Sequence, residues 1–478
     1  MQFKTNLVIT TIFIALLAFY FYQKKDAEEM EAVAKQAKQL FDFSDHEALK
    51  IQFDKGDTMI SAEKGDDGWK LQFPIETDAD EEAIERYLRN LRETEIERVI
   101  EDSAAVTDDL SLKAKYGLEF PRLRVHLKLS EPSTSDTIVF GSDSPTERYS
   151  YAQRVGPNPE IFTVRAWRFD NLNKSVLDLR DRRVLIFDID EVRDFSLQSS
   201  ASVQEQITVK RVDEGKWKIM PIDRLADGDV VDQFLRTISN GKAESYIVER
   251  PGQAEMSRHG FSERFTSVSI MLGEERAEKR LNIGSEAENG KHYAVDASRE
   301  PIFLVDSTFV AELDKTVFDL RDKKPVRIEE RDSIHGIELW RNGDEVFSAK
   351  RDTIGGWTIT SPPNRDPKSW KLNSLLTDID GIEVEAFTLD VSDDASIDRA
   401  RYGLDVPAVR IRLTSDVEDV TEIALGKVDN EAFLVCNGIP SVYRLGIDVL
   451  EDLELDLDDV SKLPPDSESI AETPNDLE

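Results

Sequence analysis

Cysteine is nearly missing: Cys436 is the single thiol in 478 residues. One thiol cannot close an intramolecular disulfide, which excludes a disulfide-stapled scaffold and fits either cytoplasm or a bacterial periplasm. It lies in an apolar strand pattern, Phe433-Leu434-Val435-Cys436, where a buried and inert thiol is expected. Histidine is almost as scarce. His46, His126, His259, His292 and His335 are scattered without metal-ligand spacing, so no metal centre is expected. Positive charge is in deficit too, with 61 Lys and Arg against 96 Asp and Glu and a formal net charge of -35. A chain this acidic repels a phosphate backbone, which excludes nucleic acid as a partner. The acid-rich stretch at 390–398 has Ala395 where a calcium loop needs glycine. A Gly-x-Ser-x-Gly turn, a phosphate-cradling loop and a dinucleotide glycine pattern are all absent. No catalytic, cofactor-binding or metal-ligating residue is assigned, and the chain reads as a non-enzyme.

Long apolar runs are also rare. The one candidate covers residues 5–22, 18 residues without a charge. At ~1.5 Å per residue this is near the lower limit for crossing ~30 Å of hydrocarbon. Phe19, Tyr20, Phe21 and Tyr22 gather at its end, as an interfacial belt would, and no small-residue cleavage pattern follows. The expectation is an uncleaved N-terminal transmembrane helix within 1–25, then a solvated helical spacer at 26–48. Lys4 on one side and Lys24 and Lys25 on the other leave its orientation open.

What the chain does have is repetition. Trp69-Lys70-Leu71-Gln72-Phe73-Pro74 returns as Trp217-Lys218-Ile219-Met220-Pro221 and as Trp357-Thr358-Ile359-Thr360-Ser361-Pro362. The tryptophans are 148 and then 140 residues apart. Each follows a turn and precedes an amphipathic helix with apolar residues at i, i+3, i+4 and i+7. These are Ile84, Tyr87, Leu88 and Leu91; Val231, Phe234, Leu235 and Ile238; and Leu372, Leu375, Leu376 and Ile379. The fixed distance from tryptophan to helix favours a core role for Trp69, Trp217 and Trp357 over an exposed carbohydrate-stacking row.

A second landmark follows: Tyr116-Gly117-Leu118 with Pro121, His259-Gly260-Phe261, and Tyr402-Gly403-Leu404 with Pro407. Glycine there suggests a backbone position with positive φ. Alternating strands come next, one of them ending at Gly141, Gly284 or Gly426. A closing helix then reaches Leu179-Arg180-Asp181 and Leu320-Arg321-Asp322, each followed by a basic pair, while the third copy reads Leu455-Asp456-Leu457-Asp458-Asp459. The arginine is placed at a module junction, where a cation suits a helix C-terminus.

The expected fold class is α+β: three tandem, mainly antiparallel modules with two helices each, behind one transmembrane helix. The modules span 49–188, 189–330 and 331–460, and an acidic, proline-containing tail at 461–478 reads as disordered.

The turn-Trp strand, Tyr-Gly-Leu-x-x-Pro and the strand ending in Ile-Gly or Leu-Gly, together with the N-terminal apolar run, resemble domain-of-unknown-function family 4340 in three tandem copies. The second copy departs at His259-Gly260-Phe261, which lacks the proline. The resemblance implies a membrane-anchored, extracytoplasmic accessory or scaffold protein of the bacterial inner membrane, with most of the chain in the periplasm. Its implied partners are the membrane and ABC-type transporter subunits or other envelope proteins. The alternatives are a periplasmic ligand-binding module for peptide or glycan, or a hydrolase.

Overall fold

The structure, a computed structural model, describes residues 38–463 apart from 42, 44–47, 57, 107–109, 131–134, 157–158, 199–205, 213–214, 263–264, 329 and 416–419. The chain divides into two compact units, Met1–Arg183 and Val184–Glu478. The first holds one large sheet and the second holds two.

In the first sheet the strands are β1 Ala48–Lys55, β2 Thr58–Gly65, β3 Gly68–Phe73, β4 Thr77–Asp78, β5 Arg98–Glu101, β6 Leu123–Leu129, β7 Ser135–Asp143, β8 Tyr149–Val155 and β9 Ile161–Arg165. Their spatial order is β4-β3-β2-β1-β6-β7-β8-β9-β5. The neighbours pair antiparallel, with β1 joining two meanders through Phe53 opposite Ile60 and Val125. The second sheet, from Val192–Gln198 to Ile302–Val305, has nine strands in the same order. The third, from Ile334–Arg341 to Ile439–Leu445, has eight. There the two-residue edge strand Asp366–Pro367 pairs instead with Ser461–Lys462.

One helix packs on each sheet because its apolar stripe must leave water. These are Glu81–Arg92, Gly228–Asn240 and Ser369–Asp380, and all twelve stripe residues named above are buried. Asp80 and Asp227 cap the first two by accepting from the first-turn amides, whereas Lys368 in the third position provides no side-chain cap. Beneath the helices Trp69, Trp217 and Trp357 are 5, 4 and 4% exposed, each inside the core of its own sheet.

Two parts of the expected fold class need correction. The transmembrane helix is not supported: among the described residues no helix is long and apolar enough to cross a membrane. Residues 5–22 themselves lie outside the described residues, as do the start of the spacer and the tail from 464 onward. The count of two helices per module is also wrong. The closing helix is broken in every module, into Ala166–Leu172 and Val176–Leu179, Ser307–Leu313 and Val317–Leu320, and Ile447–Leu453 and Leu457–Val460. The cause is a second cap. Ser175, Thr316 and Asp456 each form a capping box with the aspartate three residues on, which restarts the helix. Short helices Ser103–Val106, Leu110–Lys115 and Gln253–Arg258 add to the count before the glycine landmark. The spacer ends earlier than expected as well. Leu40, Phe41 and Phe43 are buried in the first core, and Leu40 N–H donates to Thr94 O at 2.9 Å.

The two recurrent glycine landmarks meet each other. Gly260 has φ +87°, and a Cβ on Gly284 would stand 2.2 Å from His259 O. The same approach recurs between Gly141 and Tyr116 O and between Gly426 and Tyr402 O. The strand does not end at this glycine but runs two residues beyond it, to Asp143, Glu286 and Val428. Glycine is required there for close backbone approach. Gly284→Ala is expected to cost about 1–3 kcal/mol, the range for forced overpacking. Gly228→Ala, where nothing lies within 4 Å, is the neutral control. Equal denaturation midpoints for the two variants would rule out the close approach.

Candidate functional site

The site begins with the linker that follows the second sheet. Val317–Leu320 ends at Leu320, which is fully buried, and the extended Arg321 follows. Backbone pairing fixes its neighbours: Asp227 N–H donates to Leu320 O at 2.9 Å, and Ala226 bridges Arg321. The same pairing identifies its counterparts. Asp80 N–H donates to Leu179 O, and Lys368 N–H donates to Val460 O. The third copy of Leu-Arg is therefore Val460-Ser461, not the Leu455-Asp456-Leu457-Asp458-Asp459 alignment expected from sequence. Serine stands there in place of arginine.

Arg321 is a clamp between the second and third sheets, which share one unit. Its guanidinium donates to Asp390 by Nη1 to Oδ2 at 2.6 Å and Nη2 to Oδ1 at 2.8 Å. Its Cζ lies 3.7 Å from the centre of the Phe387 ring. Both partners stand on the edge strand Ala386–Asp390 of the third sheet. Arg224 approaches from the edge of the second sheet. Its Nε donates to Asp390 Oδ1 and to Ser441 Oγ, and its Nη2 to the carbonyls of Val391 and Pro440, all at 3.1–3.2 Å. Ser441 Oγ donates to Asp390 Oδ1 at 2.6 Å. Further on, Val384 N–H donates to Lys323 O at 3.0 Å, and the buried Cys436 Sγ lies 3.5 Å from Pro325 O. The expectation that Arg321 serves the helix dipole thus gives way to a different cause. A bidentate carboxylate partner and an aromatic face, both on the next sheet, take the guanidinium. Asp322 has a separate job. It accepts from Lys324 N–H and from Arg327, which folds the linker back; Asp181 accepts from Arg183 in the same way.

The clamp carries a pH dependence. Burial opposes ionisation of Asp390, but Arg321, Ser441 and Arg224 outweigh it and hold the carboxyl below the ordinary range. A carboxyl depressed by folding contributes stability at pH above its unfolded value, near ~4, and that contribution is lost as pH falls through the folded value. The melting temperature of the full chain is expected to fall with acid over that window. Asp390→Asn should fall less steeply, and superimposable pH profiles would remove Asp390 from the account.

The other sequence candidates are held apart. His126 Nδ1 lies 2.8 Å from Thr137 Oγ1 in the first sheet. His259 is buried against Tyr293 and its Nδ1 lies 2.7 Å from Glu255 O. His335 is in the third sheet and His46 lies outside the described residues. Burial pushes the Cys436 thiol up to about 12, which removes it as a nucleophile at neutral pH. Asp393 caps a short turn and Asp394 pairs with Arg399 at 2.8 Å. Among the described residues no group of three or more His, Cys, Asp or Glu could hold a metal ion.

One groove stands out in the second module, about 630 Å3 between the strand ends and the break in the closing helix. Met220, Pro221, Ile222, Val317 and Phe318 form its apolar wall. Phe318 also packs on Phe387, with ring centres 5.6 Å apart, so the groove adjoins the clamp.

A family model described as Domain of unknown function (DUF4340) matches residues 69–264 and again 221–397, together more than half of the chain. No curated protein and no solved structure matches.

Proposed function

The chain belongs to the DUF4340 family of domains of unknown function, and from that premise we propose that it is a scaffold or accessory subunit of an ABC-type transporter system. In this reading it works in the periplasm, beside the bacterial inner membrane, in three tandem copies of the family's fold. The observation that carries it is the clamp. Arg321 and Arg224 spend their donors on Asp390, Ser441 and two carbonyls of the next sheet, which makes the network structural rather than catalytic. A partly buried charge network between the two sheets supports a body built to hold surfaces at fixed separation. The test is crosslinking in intact cells followed by purification of the chain. Recovery of transporter permease or ATPase subunits in the crosslinked product supports the proposal. Recovery of the chain alone, at crosslinking yields that capture a known envelope complex, overturns it. A second reading, a peptide-binding module, rests on the groove of the second module.

A further inference from the structure

Beyond the scaffold reading, and independently of it, the first sheet carries a receiving edge like the one that takes the clamp. Backbone bonds set the correspondence. In the third sheet Glu385 N–H donates to Arg444 O, and Val384 N–H donates to Lys323 O of the incoming linker at 3.0 Å. In the first sheet Glu97 N–H donates to Thr163 O, and Ile96 N–H donates to Lys38 O at 2.7 Å. The second sheet repeats the next contact along the chain. Val184 N–H donates to Gly241 O at 2.9 Å, as Leu40 N–H does to Thr94 O. Residues 38–41 therefore fill the place in the first module that Lys323 and Val184 mark in the others. They are fixed there: Leu40 and Phe41 are buried, and Arg154 Nη2 donates to Leu40 O at 2.9 Å.

The edge strands correspond as well. Val99 on β5 lies opposite Phe162, Phe387 lies opposite Tyr443, and the register shifts just after each. Directly opposed residues share a face of the sheet. Phe162 and Tyr443 belong to the cores, so Val99 and Phe387 both stand at the open rim of a core. Phe387 is covered from the linker side. Phe318, five residues before Lys323, packs on it, and Arg321 lies over its ring. Val99 is 46% exposed. Five residues before Lys38 stands Val33, outside the described residues. Its neighbours in sequence make a stripe: Met30, Val33, Ala34 and Ala37 fall at i, i+3, i+4 and i+7. Glu31 and Lys35 have the spacing of a supporting ion pair on one helical turn.

We propose that residues 30–37 dock on the open edge of the first sheet and seat Val33 on Val99, as Phe318 seats on Phe387. Reach selects this occupant. The chain passes Ile96 N–H at Lys38 O, three residues from Val99, so the segment before it starts beside that edge. A tether this short gives an effective concentration on the order of millimolar, which a separate protein must outcompete. The face also answers a need of the segment, since an isolated helix of this length is marginal in water. Gln36 stands where Arg321 does, so this junction relies on apolar contact in place of the guanidinium. Docking makes the connection from the apolar run at 5–22 to the first module a stiff one.

The experiment uses the purified full chain. Val33→Cys/Val99→Cys is oxidised under mild conditions beside the control Val33→Cys/Phe73→Cys. Phe73 is 44% exposed, much like Val99, but lies on β3 toward the opposite edge. The native Cys436 is buried and stays out of the reaction. A disulfide within one chain, formed several-fold faster in the Val99 pair, is the expected result. In a second measurement Val99→Cys is alkylated with iodoacetamide. Adding Val33→Asp puts a charge on the docking stripe and should speed alkylation several-fold while circular dichroism stays unchanged. Equal oxidation rates for the two pairs overturn the proposal, as does alkylation that Val33→Asp leaves unchanged. A Val99 pair that joins only two separate chains overturns it too and gives the edge to a second copy. No transporter enters either readout, so failure here leaves the crosslinking result in cells standing, and the reverse.

Discussion

Asp390→Ala is expected to uncouple the second and third sheets, turning one cooperative thermal transition of residues 184–463 into two. The reason is what the substitution leaves behind. Arg321 is 3% exposed, and without Asp390 its guanidinium is a buried charge with no carboxylate. Breaking a buried ion pair from one side costs about 3–5 kcal/mol. Arg321→Ala removes the same contact but leaves a carboxylate that is 26% exposed and still has Arg224 and Ser441. Its penalty should therefore be the smaller of the two. The double variant Arg321→Leu/Asp390→Leu should recover part of the loss, because paired apolar residues carry no desolvation cost. Calorimetry on the four chains decides the matter. An Asp390→Ala chain that melts in a single transition at the wild-type temperature would show that the clamp does not couple the sheets.

The second large effect is expected at Trp217. Its ring lies 6.1 Å from Phe195, which stacks on Phe234 of the packed helix at 5.2 Å, so the side chain is the keystone of an aromatic stack between sheet and helix. Trp217→Ala should cost about 3–5 kcal/mol through lost burial and the cavity left behind. Domains of ordinary stability have only about 5–15 kcal/mol in hand. The first unit, with its own core, should melt nearly as before. The third sheet should be pulled down with the second while the clamp holds, and released from it in the background of Asp390→Ala. Neutrality of Trp217→Ala in a denaturant titration is the outcome that would falsify the core role.

Local pattern alone determined a good deal of this protein. The distance from each tryptophan to its helix stripe, and the alternation of the strands, are properties of a few consecutive residues, because side-chain direction repeats every 3.6 or every 2 positions. Gly117, Gly260 and Gly403 were readable for the same reason: positive φ is a demand on one residue, met at +69, +87 and +66°. Tertiary structure decided the rest. That Gly284 lies against His259 O depends on a strand folding back. That Arg321 meets Asp390, 69 residues away, depends on where two sheet edges come to lie. The third Leu-Arg equivalent, Val460-Ser461, lost its sequence signature and kept only its backbone partner, Lys368 N–H. The groove was illegible as well, since its wall joins Met220, Pro221 and Ile222 to Val317 and Phe318, residues far apart in the chain that only the fold brings together.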